Sequence, residues 1–136
     1  VVIGTPFSEL LEKCGVDREK VDKLVMGGPM MGMAQFTEDV PVIKGTGGLL
    51  ALTDEETNYC KPQACISCGK CVDVCPMNLV PFMYGRLAIK EEWDNMGQYN
   101  LMDCIECGSC AYICPANRPL TEAIKIGKAK LRSMKK

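Results

Sequence analysis

Apolar residues recur along the first part of the chain in two rhythms. Phe7, Leu10, Leu11 and Cys14 fall at i, i+3, i+4 and i+7, the spacing of one helix face. Thr5 and Pro6 precede them as an N-cap and a first helical residue, Glu9 suits a helix start, and Gly15 supplies a stop. Short apolar runs at 23–26, 40–44 and 49–52, and the end of another at 1–3, predict strands punctuated by glycine and proline. Residues 53–58 are polar and read as a linker or a first helical turn. Beyond them, Phe82, Met83, Leu87 and Ile89 predict a helix over 80–91, with a second short helix over 94–101. In the tail, Leu120, Ala123, Ile124, Gly127, Leu131 and Met134 return to helical spacing. The elements predict an α+β chain in three parts. These are a small α+β domain at 1–53, a mainly helical domain at 54–118 and a C-terminal helix at 119–136. A unit of about 50 residues has a marginal core and leans on its neighbours.

The helical domain changes character once its cysteines are read. Nine of the ten cysteines lie in 60–118, and eight of them form an internal repeat. Cys65-Ile66-Ser67-Cys68-Gly69-Lys70-Cys71-Val72-Asp73-Val74-Cys75-Pro76 recurs 39 positions later as Cys104-Ile105-Glu106-Cys107-Gly108-Ser109-Cys110-Ala111-Tyr112-Ile113-Cys114-Pro115. Both copies have the spacing of the bacterial ferredoxin run, in which the fourth cysteine ligates the other cluster. A cubane has four iron corners, each needing one thiolate. Three cysteines three residues apart in a curled loop reach three corners of one cube, and the fourth, a helical turn further on, points toward the partner site. Cluster 1 is therefore assigned to Cys65, Cys68, Cys71 and Cys114, and cluster 2 to Cys104, Cys107, Cys110 and Cys75. Gly69 and Gly108 provide backbone freedom beside inorganic sulfide, and Pro76 and Pro115 redirect the chain. Ile66, Val74, Ile105 and Ile113 are expected to form a dry shell that tunes the potential. Structural zinc is the alternative, but a zinc module supplies two Cys pairs for one tetrahedral site rather than two runs of four. Cys14 and Cys60 complete no ligand set and read as packing residues.

Composition narrows the chemistry further. The chain has no histidine, which removes Ser-His-Asp and Cys-His nucleophiles, His-ligated zinc or haem, and Rieske centres. Clustered rather than dispersed cysteines suggest a reducing compartment. A net charge of −1 gives no nucleic-acid surface, and no apolar run approaches the length of a membrane span. The charge is unevenly spread. The tail holds Lys125, Lys128, Lys130, Arg132, Lys135 and Lys136 against Glu122, a net of +5 that leaves −6 on the rest. It reads either as a solvated helix face or as a contact for an anionic membrane surface or an acidic partner. The stretch between the runs is long for a simple ferredoxin and suggests a docking surface; Trp93 and Tyr99 are its notable residues, each with packing as the plainer role. A start at Val1-Val2-Ile3-Gly4, with neither initiator Met nor signal pattern, reads as a fragment of something longer.

Gly28-Pro29-Met30-Met31-Gly32, then Pro41-Val42-Ile43-Lys44-Gly45-Thr46, then the paired cysteine runs, resemble the C subunit of the Rnf (Rsx) electron-transport complex. Read from the residues alone, the Gly-Met segment is a tight turn whose methionines fill a core or an interface. The resemblance implies that 1–53 is an SLBB-type β-grasp domain followed by a ferredoxin-like domain with two [4Fe-4S] clusters. It further implies an electron-relay part of a membrane-associated ferredoxin:NAD oxidoreductase coupled to Na⁺ or H⁺ translocation. The partners would be the other subunits and ferredoxin, with peripheral attachment at the cytoplasmic face of the cell membrane. FMN and NADH belong to the family's upstream domain, and no Gly-rich dinucleotide fingerprint occurs in this sequence. A soluble flavoprotein of the cobalamin-reductase type is the alternative within the same architecture.

Overall fold

The computed structural model describes residues 1–57 and 60–134, so Asn58 of the expected linker and Lys135 and Lys136 of the basic tail lie outside the described residues. The chain divides into two compact units, 1–59 and 60–136.

In the first unit, helix α1 (Phe7–Lys13) buries Phe7 and Leu11. Thr5 does not cap it: its hydroxyl donates to the Val2 carbonyl at 2.9 Å. The helix's first amides are satisfied by backbone, Phe7 N–H to Val40 O at 3.0 Å and Ser8 N–H to Glu38 O at 3.1 Å. The strands expected at 1–3 and 40–44 do not form. The two segments share an isolated bridge between Pro6 and Pro41, flanked by Gly4 N–H to Val42 O and Val42 N–H to Thr5 O, both 2.8 Å. Two opposed prolines have no amide to extend a ladder, which stops there.

The sheet is antiparallel, in the order β2-β1-β3, from β1 (Val21–Met26), β2 (Met33–Gln35) and β3 (Leu49–Thr53). Leu24 and Val25 of β1 are buried, and Leu24 joins Phe7 and Leu11 in the core of this unit. The short edge strand β2 went unread because its residues do not alternate in burial. The Gly-Met turn joins β1 to β2. A Cβ at Gly32 would stand 2.5 Å from both Gly28 O and Val25 Cγ1, so only glycine closes this turn without displacement. Met30 and Met31 are exposed, which removes the core-filling half of their expected role. Cys14 is likewise exposed rather than packed. Helix α2 (Asp54–Thr57) forms within the expected linker and packs on β1 and β3.

The second unit is helical: α3 (Lys70–Asp73), α4 (Pro81–Ile89), α5 (Trp93–Gln98), α6 (Ser109–Tyr112) and α7 (Leu120–Met134). Its core centres on Tyr84, Met96, Leu101 and Ile124. The Tyr84 hydroxyl donates to the Tyr99 carbonyl at 2.6 Å, and burial pushes its pKa up to about 12, so it remains a donor. Trp93 packs against this core, while Tyr99 is largely exposed and contributes its carbonyl. The helix expected over 94–101 is interrupted: α5 ends at Gln98, Asn100 takes a φ of 56°, and a short 3₁₀ turn follows at Leu101–Asp103.

Helix α7 lies against α4, α5 and α6. A Cβ at Gly127 would come within 2.5 Å of Met96 Sδ, so the glycine sets how closely α7 approaches. The buried face includes Leu120, Thr121, Ile124, Gly127, Lys128 and Leu131. Lys128 thus leaves the solvated basic set expected from the sequence. Cys60 is exposed rather than packed.

Candidate metal centre

The repeat in sequence is a repeat in backbone conformation. Gly69 and Gly108, 39 apart, take φ values of 79° and 83° ahead of the one-turn helices α3 and α6. Ser67 and Glu106 match at 56° and 57°, and Asn78 and Asn117 at 52° and 47°. Left-handed turns at those positions curl each run, so successive thiols turn inward. The turn hydrogen bonds match too: Val72 N–H to Gly69 O at 2.8 Å corresponds to Ala111 N–H to Gly108 O at 3.0 Å. Asn78 N–H to Cys75 O and Asn117 N–H to Cys114 O are both 3.1 Å. Helices α3 and α6 pack on each other.

Two recesses result. Cys65, Cys68, Cys71 and Cys114 line one recess, together with Phe82 and Leu120 among others. Cys75, Cys104, Cys107 and Cys110 line another, together with Leu79, Tyr84, Thr121 and Ile124 among others. Each recess therefore takes three cysteines from one run and the last cysteine of the other. Cys71 and Cys110, the third cysteines of the two runs, are both buried.

The thiols are not equivalent. Burial raises the pKa of Cys71 and Cys104, and pushes Cys110 up to about 11. At Cys104, the Glu106 N–H at 3.4 Å from its sulfur and the Lys128 charge offset part of that rise. Cys107, hydrogen-bonded to the Ser109 hydroxyl at 3.4 Å, is lowered. In the second recess the Leu79 N–H points at Cys75 Sγ from 3.4 Å. Metal binding must displace protons from the raised thiols, because the thiolate is the ligand.

Four thiols around an apolar recess, with backbone N–H groups aimed at sulfur, is the donor chemistry an iron–sulfur cube requires. Among the described residues, no group of three or more Cys, Asp or Glu side chains converges tightly enough for a single ion. A tetrahedral zinc needs its sulfurs about 2.3 Å from one centre. Thr121 adds a fit of another kind: its hydroxyl, buried at the second recess, has no partner among the described residues.

Residues 64–118 match the 4Fe-4S dicluster domain family. The chain is 47% identical over 129 residues to the C subunit of the Na(+)-translocating ferredoxin:NAD(+) oxidoreductase complex of Acetobacterium woodii, covering 95% of this chain and 29% of that protein. It is 50% identical over 131 residues to the C subunit of the ion-translocating oxidoreductase complex of Rhodobacter capsulatus, covering 96% of this chain and 25% of that one. The proton-translocating counterpart of Clostridium ljungdahlii is 46% identical, with 98% and 29% covered.

The chain is homologous to the C subunits of ion-translocating oxidoreductase complexes. It spans 25–29% of the length of these relatives. Within that homology, the dicluster domain is the part that carries two [4Fe-4S] clusters.

The structure also brings in residues that the motif does not name. Lys128 of α7 is 6% exposed, and its Nζ donates to the Cys104 carbonyl and to Glu106 Oε1, the latter at 2.8 Å. At the first run, Arg86 of α4 reaches the Ser67 hydroxyl at 2.7 Å and lies 5.2 Å from the Phe82 ring centroid. The one sequence signal for the buried pair was Glu106 standing where the first copy has Ser67. The dry shell expected of the repeat's aliphatic residues forms only in part: Ile66 and Ile105 line one recess each while remaining 67% and 52% exposed, and Val74 and Ile113 are exposed and line neither.

Proposed function

We propose that this segment is an electron relay. Cys65, Cys68, Cys71 and Cys114 hold one [4Fe-4S] cluster, and Cys75, Cys104, Cys107 and Cys110 hold the other. The observation that carries this reading is the gathering of eight thiols from the repeated run into two recesses of four, with the last cysteine of each run exchanged. The exchange ties the two runs into one unit, and the packing of α3 on α6 keeps the cluster sites adjacent. The clusters supply one-electron chemistry. The chain's own part is to orient the ligands, keep the recesses apolar and direct N–H groups to sulfur.

The whole protein, on this reading, works in a membrane-associated ferredoxin:NAD oxidoreductase complex coupled to Na⁺ or H⁺ translocation. The names of its relatives support that. Its partners are the other subunits and ferredoxin, and FMN and NADH are handled by another part of the protein. Attachment is peripheral, at the cytoplasmic face; no helix among the described residues is long and apolar enough to cross a membrane. The three-stranded unit serves as an SLBB-type β-grasp domain for docking, which agrees with its exposed Met30 and Met31.

The test is fractionation of cells that make the full-length protein. It should sediment with membranes and copurify with membrane-embedded subunits. Cys68→Ser should abolish transfer from reduced ferredoxin to NAD and leave that association intact. Recovery as a soluble, single-chain flavoprotein would overturn the assignment to a membrane complex.

A further inference from the structure

Thr121 sits in the first turn of α7, is 5% exposed and lines the recess of Cys75, Cys104, Cys107 and Cys110. Its Oγ1 has no hydrogen-bond partner among the described residues. A threonine within a helix can satisfy itself by donating to a carbonyl a turn earlier, but Thr121 is the second residue of α7 and has no helical turn before it. Leaving a buried hydroxyl unpaired is costly, so a partner belongs inside the recess. Once metal is bound, the recess gains acceptors that carry no hydrogen, the thiolates and the sulfides of a cube.

Among the described residues the other recess has no unpaired hydroxyl; Ser67, which lines it, accepts from Arg86. The residue 39 positions before Thr121 is Phe82, which lines the first recess with a hydrocarbon ring. The repeat otherwise matches in backbone conformation at Ser67 and Glu106, Gly69 and Gly108, and Asn78 and Asn117. The hydroxyl is thus a local departure from pseudo-symmetry, placed where it meets one cluster alone.

We infer that Thr121 is a positioning residue that donates a hydrogen bond to sulfur of the second cluster and raises that cluster's reduction potential. The inference rests on the two-cluster reading above. Reduction adds negative charge to the sulfurs, and a donor aimed at them stabilises the reduced state more than the oxidised one.

The experiment is an anaerobic redox titration of the iron-loaded chain, followed by EPR, on wild type, Thr121→Val and Thr121→Ser. Valine keeps the shape and deletes the donor. One of the two midpoints should fall in Thr121→Val. At a solution potential held at the wild-type midpoint, the reduced-to-oxidised ratio of that cluster should drop about tenfold, equivalent to about 59 mV for one electron. The other midpoint should stay put, and Thr121→Ser should track wild type. Pulsed EPR after exchange into D₂O should show one exchangeable proton fewer at the shifted cluster in Thr121→Val than in wild type, beside the Glu106 and Leu79 N–H protons that both forms keep. Unchanged midpoints, equal movement of both, or an undiminished set of exchangeable couplings in Thr121→Val would overturn the inference. A chain without clusters in wild type would instead fail the relay reading itself.

Discussion

Cys114→Ala should strip the chain of the cluster at Cys65, Cys68 and Cys71, far upstream, and spare the one bounded by Cys104, Cys107 and Cys110. The reason is spatial. Cys114 closes the second run but lines the first recess, while Cys75 closes the first run and lines the second. A cube with one corner unligated is exposed to solvent and oxidant, and iron should fall from about eight to about four per chain. The reciprocal change, Cys75→Ala, should remove the downstream cluster. Iron and sulfide analysis with EPR of the reduced variants reads both outcomes. Loss of the downstream cluster from Cys114→Ala, with the upstream one intact, would mean that each run serves its own site.

The second large effect concerns the buried lysine. Glu106→Ala leaves the Lys128 ammonium 6% exposed with only the Cys104 carbonyl as partner. Removing one member of a buried pair costs about 3–5 kcal/mol; Glu106 is itself partly exposed, so about 2–3 kcal/mol is expected after solvent screening. Lys128→Met should cost less, about 1–2 kcal/mol. It takes the buried charge away, lets Glu106 turn to water and leaves one carbonyl unpaired. The double variant should resemble Lys128→Met rather than the sum of the two. Guanidinium-induced unfolding of the iron-loaded chain, under anaerobic conditions, measures all three. A Glu106→Ala chain as stable as wild type would show that the ion pair contributes nothing to the fold.

What could be read from the sequence was what local pattern encodes. The run spacing and its recurrence depend only on neighbours within a dozen residues, and the left-handed turns at Gly69 and Gly108 follow from them. Helices α1, α4 and α7 and strands β1 and β3 follow from apolar periodicity. What escaped depends on contacts between distant segments. The strands expected at 1–3 and 40–44 failed because Pro6 and Pro41 face each other across the chain, a pairing no local window reveals. Lys128 read as one more solvated cation because nothing near it in sequence announces Glu106 and the Cys104 carbonyl. Val74 and Ile113 were expected to shield sulfur, but both are exposed and line neither recess, while Ile66 and Ile105 line one each.

An electron relay needs two cubes in this unit, close enough to exchange electrons. Iron and acid-labile sulfide analysis of the anaerobically purified chain, with EPR after dithionite reduction, tests it most directly. About eight iron and eight sulfide per chain are expected, with spectra of two magnetically interacting clusters. Zinc without sulfide, persisting after anaerobic reconstitution with iron and sulfide, would contradict it and leave a structural metal module.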